Sequence, residues 1–358
     1  MASTISNRAT GGEDAFPLVP ANLPHSDARS PLRSLTGLQI LATGSYAPEE
    51  IVRNEDLAEL GYDADWILQR TGILQRRRAA SGEATSDLVI EAARRCLDVA
   101  DTRPDELDLI LVATMTPDMP TPSTGCIVQE KLGANCPAMD LNAACAGFVY
   151  ALITGAQFVG NGHWQRVLVA GADLMSGSVD PNDKRTFPLF GDGAGAVLLG
   201  PGSKRQGLLA YTLGADGSGG NLLCTPAGGS REPLTADALA AGRQYLHMEG
   251  RPVFKWAVRL VEDSIMDVLH HVRISPNEID LVVLHQANIR IIEAAVNDLG
   301  IDSEKILVNL DRYGNTSAGS IPLALDEAVQ AGRVRRGDHV LVCGFGAGLA
   351  WGTALLKW

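Results

Sequence analysis

The sequence predicts an α/β fold built from two pseudo-symmetric halves, and three observations carry that expectation. Pro104-Asp-Glu-Leu-Asp-Leu-Ile-Leu-Val112 returns as Pro276-Asn-Glu-Ile-Asp-Leu-Val-Val-Leu284, an offset of 172 residues. Arg166-Val-Leu-Val-Ala-Gly-Ala-Asp173 returns as His339-Val-Leu-Val-Cys-Gly-Phe-Gly346 at an offset of 173. Ahead of the first strand of each pair lies a segment of helical period.

In chain order, residues 1–36 are rich in Ala, Ser, Thr, Pro, Gly and Asn and lack the basic start and apolar stretch of a signal peptide, so they read as a disordered leader. Residues 86–100 put Leu88, Val89, Ala92, Ala93, Cys96, Leu97 and Ala100 on one stripe, with Ser86 as N-cap. The run ending at Val112 has strand length and is apolar throughout, as a strand covered on both faces should be. Residues 146–152 read as the start of a buried helix, and Val167–Ala170 as the next strand. In the second copy Phe254, Ala257, Val261, Ile265, Val268 and Leu269 form the stripe of a helix over 253–271, and strands follow near 281–284 and 340–343. The expected division is 37–205 for the first half and 206–358 for the second.

Composition narrows the function. With 358 residues, 46% hydrophobic and 20% charged, the chain can bury sizeable cores. The net charge of −12 argues against a broad nucleic-acid-binding face, and no apolar run reaches the roughly 18 residues of a membrane-spanning helix. The six cysteines include no CxxC pair and no zinc-like spacing, so free thiols, a reducing cytoplasmic setting and no metal are expected.

Ligands of open α/β sheets sit beyond the carboxyl ends of strands, and three segments place chemistry there. Cys145 precedes a helix start, where backbone N–H groups and the macrodipole favour a thiolate and lower its pKa. His285 ends the strand repeated from 104–112. Asn315 lies in Tyr313-Gly-Asn-Thr-Ser-Ala-Gly-Ser320, two residues from position 317, which is Cys145 plus the repeat offset of 172. Singly, each has a structural reading: a small core residue, a hydrogen-bonded histidine, a turn asparagine. Jointly they supply a nucleophile, a proton-handling imidazole and a neutral amide donor. Gly191-Asp-Gly-Ala-Gly195 leads into a strand rather than a helix, which rejects a dinucleotide loop. Gly344-Phe-Gly-Ala-Gly348 could bring backbone N–H groups to a reacting oxygen or simply permit close packing.

Ala143-Ala-Cys-Ala-Gly-Phe148, Phe190-Gly-Asp-Gly-Ala-Gly-Ala-Val197, His285-Gln-Ala-Asn288, Gly314-Asn-Thr-Ser-Ala-Gly-Ser-Ile-Pro322 and Phe345-Gly-Ala-Gly-Leu-Ala-Trp-Gly352 occur in this order. In these motifs, and from Gly37 to Trp358, the sequence resembles the β-ketoacyl-acyl carrier protein synthase III family of condensing enzymes. The resemblance implies a thiolase-like fold in five layers, α-β-α-β-α, usually as a homodimer. It implies condensation of an acyl-CoA primer with malonyl-acyl carrier protein, through an acyl group on Cys145, with His285 and Asn315 holding the malonyl thioester. No cofactor is implied beyond the CoA thioester substrates. The backbone N–H groups of Cys145 and Ala347 would form the oxyanion hole. CoA would be met by Trp66, Arg70, Lys184, Met248, Gly250 and Asn288, and the acidic carrier protein by Lys255 and Arg290.

Asp183-Lys-Arg-Thr186 departs from the Arg-Gly pattern of the related CoA-clamping loop. Cys343 before a glycine run is similar to the second cysteine of thiolases, although Gly314-Asn-Thr-Ser317 lacks the histidine of those enzymes. Beside fatty acid initiation stand a condensing enzyme of polyketide-type metabolism and a Cys/His/Asn thioester hydrolase.

Overall fold

The structure is a computed structural model that describes residues 31–358. The expected leader lies outside the described residues up to residue 30, and its last part, Arg33–Thr36, is a strand, β1. The first half continues with β2 (Leu38–Tyr46), β3 (Glu50–Arg53), α1 (Ala64–Thr71), β4 (Gln75–Arg78), α2 (Thr85–Val99), β5 (Leu109–Ala113), α3 (Thr124–Leu132), β6 (Ala138–Leu141), α4 (Gly147–Gly160), β7 (Val167–Leu174) and β8 (Asp192–Pro201). The second half carries β9 (Gly207–Ala215), β10 (Leu223–Cys224), α5 (Ala236–Ala240), β11 (His247–Met248), α6 (Gly250–Val272), β12 (Leu281–Leu284) and α7 (Ile289–Leu299). It ends with α8 (Leu310–Tyr313), α9 (Ser320–Gln330), β13 (His339–Gly346) and β14 (Ala350–Lys357).

The duplication is visible in the sheets. One runs β2-β8-β7-β5-β6, the other β9-β14-β13-β12, with β1 added outside β9. Where the first sheet has β6 alongside β5, the second has a single parallel bridge between Val282 and Ile306. The strand orders and directions otherwise correspond, β5/β7 and β12/β13 parallel, β7/β8 and β13/β14 antiparallel.

Each continuous apolar strand is divided by its period of two between two cores. Leu109, Leu111 and Ala113 face an inner core with Val167, Val169, Leu281, Val283, Val340 and Val342, where α4 and α9 lie between the sheets. Ile110 and Val112 face outward beneath α2. Val282, Leu284, Leu341 and Cys343 face outward beneath α6 and α7. The result is five layers, α-β-α-β-α. Close approach of α9 requires Gly195 in β8, since a Cβ there would lie 2.5 Å from the backbone N of Leu323. The glycine run at 191–195 thus serves helix packing.

Helix α2 starts one residue before the expected cap. Ala84 is its N-cap, the Asp87 carboxylate accepts the Ala84 N–H at 2.9 Å, and Ser86 lies buried inside the first turn, its N–H bonded to Asp118. The reach of Asp87 back to Ala84 outweighs the capping preference of serine. A smaller apolar cluster closes over the carboxyl ends of the strands, with Met175 after β7, Met115 after β5 and Ala347 after β13.

Candidate active site

The site forms where the two halves of the repeat meet. Asn142 accepts the Ala144 N–H at 3.0 Å, and Asn315 accepts the Ser317 N–H at 2.9 Å. Ala144 and Ser317 both have left-handed backbones, φ +47° and +50°. A helix follows each turn, α4 at Gly147 and α9 at Ser320. All these pairs stand 173 residues apart, so the turn partner of Cys145 is Ala318 rather than the residue 317 that the 172 offset gives. A left-handed alanine costs about 1 kcal/mol or more, and its place just before Cys145 turns the chain so that the thiol enters the cavity.

That cavity, about 880 Å³ including its open mouth, is lined by Cys145, His285 and Asn315 together. The remaining walls are largely apolar, among them Met115, Met175, Leu189, Phe190 and Phe345, and among the described residues no Asp, Glu, Lys or Arg lines it. Each of the three polar residues is nearly dry, at 7%, 2% and 6% exposure. Sequence reading brought these three together, and the structure places them in one chamber.

The Asn315 side-chain oxygen is committed to Ser317, which leaves its NH2 group as the donor for the cavity. Its backbone is pinned on both sides, Asn315 N–H to the Leu189 carbonyl at 2.8 Å and Gly191 N–H to the Asn315 carbonyl at 3.1 Å. His285 Nδ1 is 2.7 Å from the Ser320 hydroxyl, and the Phe345 ring stands edge-on to the imidazole at 5.2 Å. Gly346 of β13 faces Cys145 so closely that a Cβ there would lie 2.8 Å from the Cβ of Cys145.

Burial sets the protonation states. It drives the His285 imidazole down to about 3, keeping it neutral. The Cys145 thiol goes up to about 12, mainly through burial, while the Ser317 hydroxyl, donating at 3.4 Å, acts in the opposite direction. This corrects the expectation of a lowered thiol pKa. The helix start is present, but among the described residues no cation faces the sulfur, and loss of water dominates. At rest the pair is thiol and neutral imidazole.

Of the residues expected around CoA, Met248, Gly250 and Asn288 line the cavity, as does Ala347. Asn288 caps α7 and donates to the Arg70 carbonyl at 3.1 Å. Trp66, 44% exposed, and Arg70, whose guanidinium lies 5.7 Å from the Trp66 ring, stand outside on α1. Lys184 is exposed, donates to the Gly61 carbonyl and lies 5.8 Å over Tyr62. Arg290 is exposed and donates to the Gln69 carbonyl, while Lys255 is exposed on α6. Cys343 is excluded from the cavity by strand period: it faces α6, where Ser264 and Thr353 surround its sulfur and burial holds the thiol near 11.

Sequence reading missed Asp173, Ser317 and Ser320. All three lay inside quoted segments, Asp173 at the end of a repeat and the two serines after Asn315, but nothing in their spacing showed what their side chains touch. Among the described residues, no group of side chains could hold a metal ion, and no helix is long and apolar enough to cross a membrane.

Comparison with known proteins gives a consistent result. Residues 139–217 match the family description 3-oxoacyl-(acyl-carrier-protein) synthase III, and residues 269–358 match its C-terminal region. The chain is 60% identical over 343 residues to a β-ketoacyl-(acyl-carrier-protein) synthase III of Rhodopirellula baltica, covering 91% of this chain and 99% of that one. A crystal structure of 3-oxoacyl-(acyl-carrier-protein) synthase III from Aquifex aeolicus superposes with TM-score 0.83 at 42% identity, covering 90% and 100%. The priming β-ketosynthase of the R1128 polyketide pathway does so with TM-score 0.83 at 35% identity, covering 90% and 97%.

Proposed function

Because the chain belongs to the β-ketoacyl-acyl carrier protein synthase III family, its reaction is the condensation that initiates fatty acid synthesis, and we propose that Cys145, His285 and Asn315 carry it out. The observation that supports this assignment is their convergence in one dry, apolar chamber. Cys145 attacks the thioester carbonyl of an acyl-CoA; the C–S bond to CoA breaks, the acyl group passes to the sulfur, and the thiol proton leaves with CoA. The backbone N–H groups of Cys145 and Ala347 receive the tetrahedral oxygen.

Malonyl-acyl carrier protein then enters. Its thioester oxygen accepts hydrogen bonds from Asn315 and His285, the carboxylate departs as CO2, and the enolate carbon attacks the acyl-cysteine, expelling the sulfur as a thiolate that takes up one proton from solvent to restore the resting thiol. Both donors are neutral, so neither adds charge beside the enolate. For His285 to donate from Nε2, its Nδ1 must accept, and Ser320 is then the donor in the 2.7 Å contact. Ser320→Ala is expected to slow condensation about tenfold while acyl loading is retained, measured as two separate half-reactions.

Acidity follows from the same burial. The His285 pKa is depressed to about 3, so the imidazole takes up a proton only far below neutrality. A pre-acylated enzyme mixed with malonyl substrate is expected to show no acid limb from the imidazole between about pH 5 and 8. A limb near the ordinary histidine value of about 6.5 would refute the neutral assignment.

Trp66, Arg70 and Lys184 would meet the nucleotide end of CoA outside the cavity, with Met248, Gly250 and Asn288 along the pantetheine. Lys255 and Arg290 would meet the acidic carrier protein. The free cysteines fit a cytoplasmic enzyme. The open edge of β6, with Met119 and Met139 exposed, supports a homodimer. The deciding assay follows 3-oxoacyl product and CO2: both should appear in equal amounts and only with acyl-CoA and malonyl-acyl carrier protein together. Free acid from acyl-CoA alone would indicate a hydrolase. Likeness to a polyketide priming enzyme favours a second reading, separated from the first by competition among acetyl-, branched- and medium-chain primers.

A further inference from the structure

The turn that carries Asn315 also brings a hydroxyl to Cys145. Ser317 is fully buried, and its hydroxyl donates to Cys145 Sγ at 3.4 Å. Cys145 lines the cavity, whereas Ser317 is not among the lining residues. The donor therefore reaches the sulfur from the protein side and leaves the cavity side open to an incoming carbonyl carbon. Backbone contacts hold it there: Asn315 Oδ1 accepts the Ser317 N–H at 2.9 Å, and Asp173 Oδ2 accepts the Ala318 N–H at 3.0 Å.

The duplicated turn shows that the fold does not require this hydroxyl. Ala144, 173 residues earlier, has the same left-handed backbone, φ +47° against +50°. Its N–H is accepted by Asn142 as that of Ser317 is by Asn315. A methyl side chain thus completes the same turn, and a short 3-10 turn and a helix follow in both halves. The left-handed conformation favours glycine or asparagine, so backbone strain does not select serine. What the hydroxyl adds is a hydrogen-bond donor at the sulfur.

We propose that Ser317 is a further catalytic residue, a hydrogen-bond donor to Cys145 Sγ at the two moments when the sulfur carries negative charge, its attack on acyl-CoA and its expulsion by the enolate carbon. In the mechanism above every other donor serves an oxygen atom. The Cys145 and Ala347 N–H groups take the tetrahedral oxygen, and Asn315 and His285 take the enolate. In a chamber this dry a sulfur anion is costly unless hydrogen-bonded, and a hydrogen bond to a charged group is stronger than one to a neutral group. The contact therefore stabilises the thiolate more than the resting thiol, which is the condition for speeding a step rather than tightening the ground state. The hydroxyl keeps its own proton throughout. This rests on Cys145 being the nucleophile, which acyl loading of the wild type tests separately.

The experiment measures acyl loading and malonyl-dependent discharge separately in Ser317→Ala, with thermal unfolding as the check on folding. Both half-reactions should slow about tenfold, as loss of one hydrogen bond to a charged group implies, whereas Ser320→Ala and Asn315→Asp spare loading. Alkylation of Cys145 by iodoacetamide at about pH 8 reports the thiolate fraction and separates chemistry from loosening. Peptide mass mapping locates it, because six cysteines are present. Among the described residues the titratable groups facing the sulfur are Asp173, at the end of β7, and His285, after β12; the turn at Ser317, residues 344–352 and residues 146–149 bring none. Both groups are retained in the variant, so loss of the donor should slow alkylation several-fold, whereas loosening would let water reach the sulfur and speed it. A loss in one half-reaction only, unchanged rates in both, or unchanged or faster alkylation overturns the proposal. Should Ser317→Ala fail to fold, Ser317→Gly, which takes φ +50° freely, is read by the same criteria. Wild-type enzyme that loads its acyl group on Cys145 keeps the assignment of the nucleophile standing through any of these failures.

Discussion

Replacing Cys145 by serine is expected to cut acyl loading from acyl-CoA by about four orders of magnitude, with thermal stability nearly unchanged. Sulfur and oxygen differ little in volume, so the turn between Ala143 and Gly147 and its contact with Gly346 survive. The loss is chemical. A serine hydroxyl is far less acidic than a thiol and needs a strong base beside it. The chamber offers none: among the described residues no carboxylate or amine lines it, and His285 is a very weak base, with its pKa driven to about 3. The thiol, although pushed up by burial, attacks thioesters well from a small anionic fraction. Quenched-flow or intact-mass measurement of the acyl-enzyme checks this. Loading at the wild-type rate in Cys145→Ser would exclude a covalent role for the sulfur.

Asn315→Asp is the sharper probe of the second half-reaction. Asparagine to alanine would remove both the donor and the oxygen that accepts the Ser317 N–H, mixing chemistry with turn geometry. Aspartate keeps the acceptor and the size and replaces only the NH2 group. It also puts a negative charge where the enolate forms. Loss of one such donor typically costs 10²–10³ in rate, about 3–4 kcal/mol, and like-charge repulsion adds to it. Condensation is expected to fall by at least about a thousandfold, while acyl loading stays within about threefold. An equal loss in both half-reactions would mean that Asn315 serves the fold.

The duplication was legible in the sequence because the paired segments kept both hydrophobicity and length: Leu109–Ala113 and Leu281–Leu284 occupy corresponding strands. Cys145, His285 and Asn315 stood out for a related reason, His285 directly after a repeated strand and Cys145 and Asn315 in corresponding turns of the two halves, while their expected roles came from the family resemblance. Contacts made by side chains across long separations were not. Ser320 lies 35 residues from His285, and Asp173 lies 145 from Ala318. No local pattern encodes either contact. Cys343 shows the limit differently: it precedes the expected glycine run, yet strand alternation turns it to the opposite face from Gly344 and Gly346, which meet the Cys145 turn. The thiol pKa was misjudged because a helix start is visible in a sequence, whereas the extent of burial is not.

The chamber matters only if the acyl group rests on the residue placed at its centre. Wild-type enzyme incubated with acyl-CoA alone, quenched in acid and digested, should carry one acyl group on the peptide containing Cys145. Adding malonyl-acyl carrier protein before the quench should discharge it as 3-oxoacyl product. An unmodified Cys145 peptide, or an acyl group on another cysteine that malonyl-acyl carrier protein discharges, would contradict the account.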